Sequence, residues 1–207
     1  MMQILRSYRK RDLIALDIGA NVGVHSVLLA DLVGANGKVL AFEPQRIIYY
    51  MLAGNVAINS KSNVYCYHNA VAEARQSPQI PSFDCGKSMS FGSVEFGGVQ
   101  TEWIGQHPAA TSTDAVEAIA IDYLGLEIAD FIKIDVEGME LRALAGAQDT
   151  IDRCRPIVLV EYLKSDSAQI IAWFKARDFR IYSGVGDNYI CLPAEMGITI
   201  DDLSEVN

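Results

Sequence analysis

An α/β fold built on an open, mainly parallel sheet with helices on both faces follows from three features of the sequence. Short apolar runs alternate with helical stretches from Leu13 to Arg177, and four of those runs end in an acid, at Asp17, Glu43, Asp135 and Glu161. The last two strand-like stretches, Phe179 to Ser183 and Asn188 to Leu192, flank a turn carrying Gly184, Gly186 and Asp187, which reads as an antiparallel hairpin closing the sheet. With 207 residues, half of them hydrophobic, residues 1–207 are read as a single domain with one sizeable core.

The first unit runs from Leu13 to Glu43. Leu13 to Leu16 is a buried strand that ends in Asp17, and Ile18, Gly19, Ala20, Asn21, Val22 and Gly23 form a glycine-bearing turn. From Val22 to Val33 the pattern is helical, and Lys38 to Phe42 is a second strand ending in Glu43 and Pro44. Gly19 and Gly23 let a ligand approach the backbone, the helix N-terminus offers free amides, and an acid at the tip of the second strand can accept hydrogen bonds from a ribose. A dinucleotide loop reads G-x-G-x-x-G and cradles a pyrophosphate, which Asp17 would repel. The glycine spacing here is also different, so an NAD oxidoreductase is disfavoured. S-adenosylmethionine, with a positive amino group in its methionyl half, suits Asp17 better.

A helix is predicted from about Arg46 to Asn59 and a third strand from Val64 to His68, with Asn69 and Ala70 at its tip. Asn69 is placed either to bond an adenine edge or to serve as a turn residue. Residues 73–114 are punctuated by Gly, Pro and Ser, and read as an irregular insertion or lid with a short hairpin around Ser88 to Val99. A strand from Ala118 to Ile121 ends in Asp122. The next, containing Phe131 to Ile134, runs into Asp135, Val136, Glu137 and Gly138 and then into an amphipathic helix carrying Leu141, Leu144, Ala145 and Ile151. If the backbone stays extended, Asp135 and Glu137 share a side, and Lys133 is an internal ion-pair partner on that side. Ile157 to Val160 ends in Glu161, and a helix capped at Ser165, Asp166 or Ser167 runs to about Arg177.

A net charge of −9 argues against a nucleic-acid polyanion as partner, and the cluster Arg6, Arg9, Lys10 and Arg11 reads as a solvated arm over residues 1–12. No apolar run approaches the ~18 residues of a membrane span, and no signal-peptide core is present, so no membrane association is expected. Cys66, Cys85, Cys154 and Cys191 form no C-x-x-C pair and read as reduced thiols in a cytoplasmic protein. Oligomeric state is not legible.

The Asp17 to Gly23 turn, Glu43 with Pro44, Asn55 and Asn59 on the following helix, Asn69 to Val71, and the run from Ile132 to Glu140 together resemble the FkbM-type methyltransferases. The likeness extends with gaps from about Leu13 to Glu161. It implies a class I methyltransferase (Rossmann-like) fold and methyl transfer from S-adenosylmethionine to a hydroxyl of a small-molecule, sugar or polyketide-like acceptor. The expected cofactor contacts are Asp17, Gly19, Ala20, Asn21, Gly23, His25, Glu43, Pro44, Asn69 and Ala70. Glu137 and Asp135 are the expected general-base candidates, with His25 and His68 behind them. A metal-assisted enzyme using Asp135, Glu137 and Glu161 remains an alternative, as does a non-catalytic binding protein, but no resident metal is assigned.

Overall fold

The computed structural model describes residues 12–81, 94, 105 and 113–206. Its strands are β1 (Ile14–Ile18), β2 (Lys38–Phe42), β3 (Val64–Tyr67), β4 (Asn69–Val71), β5 (Gln79–Pro81), β6 (Thr113–Ala115), β7 (Glu117–Ile119), β8 (Phe131–Ile134), β9 (Ile157–Glu161), β10 (Phe179–Ser183) and β11 (Asn188–Pro193). The helices are α1 (Val24–Leu32), α2 (Arg46–Ile58), α3 (Glu140–Ala145), α4 (Gln148–Cys154) and α5 (Ser167–Lys175).

Seven strands form one sheet in the order β3-β2-β1-β8-β9-β11-β10. From β3 to β9 every pairing is parallel, while β11 pairs antiparallel with both β9 and β10. The predicted hairpin is therefore present, and its second strand alone runs against the rest. The chain steps from β1 out to β3, then returns to the other side of β1 at β8. That reversal leaves a crevice at the C-terminal ends of the central strands, where ligands of open α/β sheets bind.

Strand alternation buries both faces of the sheet. Leu16, Ile18, Leu40 and Phe42 pack in one cluster with Leu144, Ile151 and Phe174 of the later helices. Ala15, Val39 and Ala41 point the other way and pack with Leu29 and Ala30 of α1 and Leu52 and Val56 of α2. Period-2 patterning thus sends the α1 and α2 pair to one face and α3, α4 and α5 to the other. Asp166 caps α5 as expected, accepting from the Gln169 amide at 3.1 Å.

The helix expected through Leu141 and Ile151 is two helices. A Cβ on Gly146 would lie 2.1 Å from the Ala72 carbonyl oxygen, so the chain can pass there only without a side chain. The Gly146 carbonyl accepts from the Asp122 amide at 3.0 Å. The Asp122 carboxylate in turn takes the amides of Asp149 (3.1 Å) and Thr150 (2.8 Å), capping α4 as a separate helix. Asp122 belongs to a 3₁₀ turn after β7, not to a strand tip.

At the base of the 73–114 insertion, β5 and β6 pair antiparallel as a stem. The expected Ser88 to Val99 hairpin, apart from Val94, and the basic arm to Arg11 lie outside the described residues.

Candidate active site

A cavity of about 220 Å³ opens at the tips of β1, β2, β8 and β9. Of the expected site residues, Gly19, Asn21, Glu43, Pro44, Asn69, Ala70, Asp135 and Glu137 line it, and Glu161 joins them.

One wall rests on backbone geometry. Glu43 is only 3% exposed, and its two carboxylate oxygens accept the amides of Asn21 (3.0 Å) and Gln45 (2.8 Å). Burial outweighs those bonds and pushes the Glu43 carboxyl up to about 7. Asn21 holds a left-handed conformation at φ 51°, its own side-chain oxygen accepts the Val22 amide at 2.7 Å, and Asn55 ties down the Val22 carbonyl at 2.8 Å. Gly19 has φ +80°, and a Cβ there would sit 1.8 Å from the Asp135 carbonyl oxygen. Glycine is therefore required first by the passage of the chain leaving β8. Asn69, in β4, donates its amide to the Glu117 carbonyl at 3.0 Å.

The other wall is a set of acids. One carboxylate oxygen from each of Asp135, Glu137 and Glu161 lies within 4.8 Å of the others. Their convergence does not come from extended alternation, because the chain turns after β8 through left-handed Glu137 (φ 52°) and Gly138 (φ 99°). Glu140 anchors this turn: its buried carboxylate accepts from Val136 N (3.0 Å), Gly138 N (3.2 Å) and the Ser165 hydroxyl. Asp135 is held by Lys133 at 2.8 Å and Glu137 by Lys164 at 2.9 Å. Among the described residues no hydrogen bond or ion pair holds the Glu161 side chain. Burial, reinforced by the charges of Asp135, Glu137 and Glu140, pushes its carboxyl up to about 8. Burial also raises Glu137, against the pull of Lys164.

Four expected contacts do not line the cavity. Asp17 shares the face of Ala15 by strand parity, so it points towards α1, where it is fully buried and accepts the Ser26 hydroxyl at 2.6 Å. Its cationic neighbour is Lys133, directly opposite it in the β1/β8 register and 3.7 Å away. Ala20 is buried, Gly23 occupies the left-handed N-cap of α1 at φ 89°, and His25 is exposed on α1. His68, also outside the lining, stacks on Tyr49 with a ring nitrogen 3.0 Å from the Pro44 carbonyl. Gln45 and Met139 line the cavity without being expected from the sequence. Glu161 is legible in the sequence only as a metal-ligand candidate; its signal is the acid closing a strand beside β8.

The sequence matches the methyltransferase FkbM domain over residues 17–181, most of the chain. The chain belongs to the FkbM methyltransferase family. Among solved structures it is similar to the FkbM methyltransferase of Methylobacillus flagellatus KT at 18% identity and a TM-score of 0.61, covering 87% of this chain and 43% of that one. It thus spans less than half the length of that relative. It is also similar to a precorrin-6y C5,15-methyltransferase of Geobacter metallireducens GS-15, at 13% identity and a TM-score of 0.53 over 92% of this chain and 84% of that one. A third is SMU.1697c, a candidate methyltransferase of Streptococcus mutans in complex with S-adenosylhomocysteine, at 11% identity and a TM-score of 0.54 over 92% and 95%. At these identities the likeness shows the class I methyltransferase fold and nothing finer. No curated protein matches the sequence. Among the described residues of this FkbM-family chain, no helix is long and apolar enough to cross a membrane.

Proposed function

We propose that this FkbM-family chain transfers a methyl group from S-adenosylmethionine to a hydroxyl of a small-molecule, sugar or polyketide-like acceptor. The observation that carries the reading is the cavity itself, with a buried acid on one wall and three converging carboxylates on the other. That donor set fits the cofactor. Glu43 suits ribose hydroxyls, the apolar surfaces of Phe42, Val71 and Met139 suit a flat base, and the Asp135 carboxylate suits a ligand with sulfonium and ammonium charges. Pro44, Asn69 and Ala70 would border the adenine end, and Gly19 and Asn21 the main-chain side.

When bound, the cofactor supplies an already activated methyl group. The work left to the chain is to position the acceptor, exclude water and remove the hydroxyl proton. Glu137, fixed by Lys164, would orient the acceptor through its hydroxyls, while Asp135, fixed by Lys133, would face the cofactor. Glu137, the expected base, has its carboxylate engaged by Lys164. Glu161 is the better-placed proton acceptor, since it lines the cavity unheld and its carboxyl, at about 8, lies close to the working pH of a general base.

Calorimetry with S-adenosylhomocysteine and NAD tests the cofactor, and labelled methyl transfer to a panel of sugar and phenolic hydroxyls tests the reaction. Binding of NAD with no binding of S-adenosylhomocysteine would overturn the reading. A second reading, a divalent cation held by Asp135, Glu137 and Glu161, draws on the 4.8 Å grouping of their oxygens. Lys133 and Lys164 already bring positive charge to two of the three, which weakens it. Loss of transfer in EDTA with recovery in Mg²⁺ would favour the cation.

A further inference from the structure

Lys133 lies behind the cavity, and its contacts reach beyond the Asp135 carboxylate that it fixes. It is 4% exposed, and its ammonium meets groups from two strand ends: Asp135 Oδ2 at 2.8 Å, the Gly19 carbonyl at 3.4 Å and Asp17 Oδ1 at 3.7 Å. Asp17 Oδ1 is buried with no hydrogen-bond partner among the described residues, so the lysine is its compensation through charge alone. Burial works against the Lys133 charge, but Asp17 and Asp135 outweigh it and hold the amine above its usual range.

Stability by itself is a poor reason for this arrangement, because buried ion pairs can often be replaced by apolar residues at little or no cost. Geometry supplies a better one. Asp135 and Gly19 both line the cavity, one on the loop after β8 and the other on the loop after β1, and a single ammonium touches both. Asp17 does not line the cavity; it sits opposite Lys133 in the strand register and is itself fixed by Ser26 of α1.

We propose that Lys133 is a positioning residue, anchored on Asp17, that fixes the Asp135 carboxylate and the Gly19 carbonyl at the cavity and so sets affinity for the cofactor. The proposal rests on the S-adenosylmethionine reading and adds to it a residue that never touches the ligand.

Lys133→Met alone leaves two acids without their cation and is expected to be destabilised, so the decisive protein is the double variant Asp17→Asn, Lys133→Met. A merely structural role predicts that affinity returns together with stability. The proposal predicts a split: a melting temperature near wild type, with affinity for S-adenosylhomocysteine still about 10- to 100-fold weaker, the fold-change expected for losing a charge-assisted bond that holds a ligand-facing group. Lys133→Arg, which retains the charge and N–H donors, should keep most of that affinity wherever its melting temperature is intact. Wild-type affinity in the double variant, or an Arg variant of intact stability that binds as weakly as the double variant, would overturn the proposal. Failure of the wild-type chain to bind S-adenosylhomocysteine at all would instead sink the cofactor reading on which it rests.

Discussion

The two walls of the cavity are built by different physics. On the β1 and β2 side the main chain sets the shape: Gly19 and Asn21 adopt left-handed conformations, and two amides hold Glu43. On the β8 and β9 side, charge does. Lys133 and Lys164 each hold one acid, Glu140 pins the turn, and Glu161 is left to the field of its neighbours. A wall shaped by backbone is preorganised apart from the charge on Glu43, whereas a wall made of carboxylates responds throughout to protons and to cationic ligands. The first suits the part of a ligand that must be recognised, and the second the part that reacts.

Glycines on the two walls give the sharpest contrast and the largest expected effect. At Gly19 a Cβ would sit 1.8 Å from a backbone oxygen, but at Gly138 the nearest atom would be 3.5 Å away, although φ is positive at both. Gly138→Ala should therefore cost only the left-handed conformation, about 1–2 kcal/mol. Gly19→Ala should cost well beyond that and abolish S-adenosylhomocysteine binding, because β1 and β8 must separate to admit the methyl group. Thermal melts and calorimetry on both variants check this. Equal losses of stability would mean that conformation, and not contact, governs both glycines.

Within the acidic wall, the next largest effect separates the acid that is held from the one that is not. Glu161→Gln should lower methyl transfer by roughly 10²- to 10⁴-fold, the usual span for a general base, with cofactor affinity little changed. Glu137→Gln leaves Lys164 facing a neutral amide in place of a carboxylate, so it should weaken acceptor binding more than turnover. The check is kcat and KM on the same preparations with an acceptor found in the hydroxyl screen. A Glu161→Gln enzyme with near-wild-type kcat would return the base assignment to Glu137.

The same contrast explains which features are legible in the sequence. Apolar runs and terminal acids are local signals, and β2 begins and ends where the sequence places it, at Lys38 and Phe42. The backbone wall is legible for the same reason, since Gly19, Asn21 and Glu43 lie within one strand-turn-helix-strand unit. Apart from the pair of Lys133 with Asp135, which strand alternation already names, the charged wall depends on partners that no local pattern names. Lys133 meets an acid across the β1/β8 register, Lys164 comes from the loop after β9, and the left-handed turn at Glu137 carries no glycine at that position. Asp17 departs from its expected place because strand parity, which its character as a strand-end acid does not reveal, turns it from the crevice towards Ser26. The single helix expected after Gly138 breaks at Gly146, where the contact with Ala72 is again long-range.

The smallest effect expected is on the backbone wall and concerns protons. Burial raises the Glu43 carboxyl from its ordinary value of 4.5 to about 7, so between those values the folded chain binds more protons than the unfolded one. The stability this provides is fully present below the unfolded value and is lost as pH rises through about 7. Glu161 acts in the same direction up to about 8, with a share reduced by solvent screening because it is only half buried. The ligand-free protein should accordingly melt lower at pH 8 than at pH 5, and Glu43→Gln should flatten most of that slope. Ribose hydroxyls donating to Glu43 favour its charged form, so S-adenosylhomocysteine should release a proton on binding near pH 7. Calorimetric titrations in buffers of different ionisation enthalpy would read that release directly, and it should vanish in Glu43→Gln together with roughly 10- to 100-fold of affinity. If Glu43→Gln keeps both the wild-type pH slope and the proton release, the titrating group lies on the acidic wall, and Glu161, not Glu43, is the carboxyl that loses its proton to the solvent when the ligand binds.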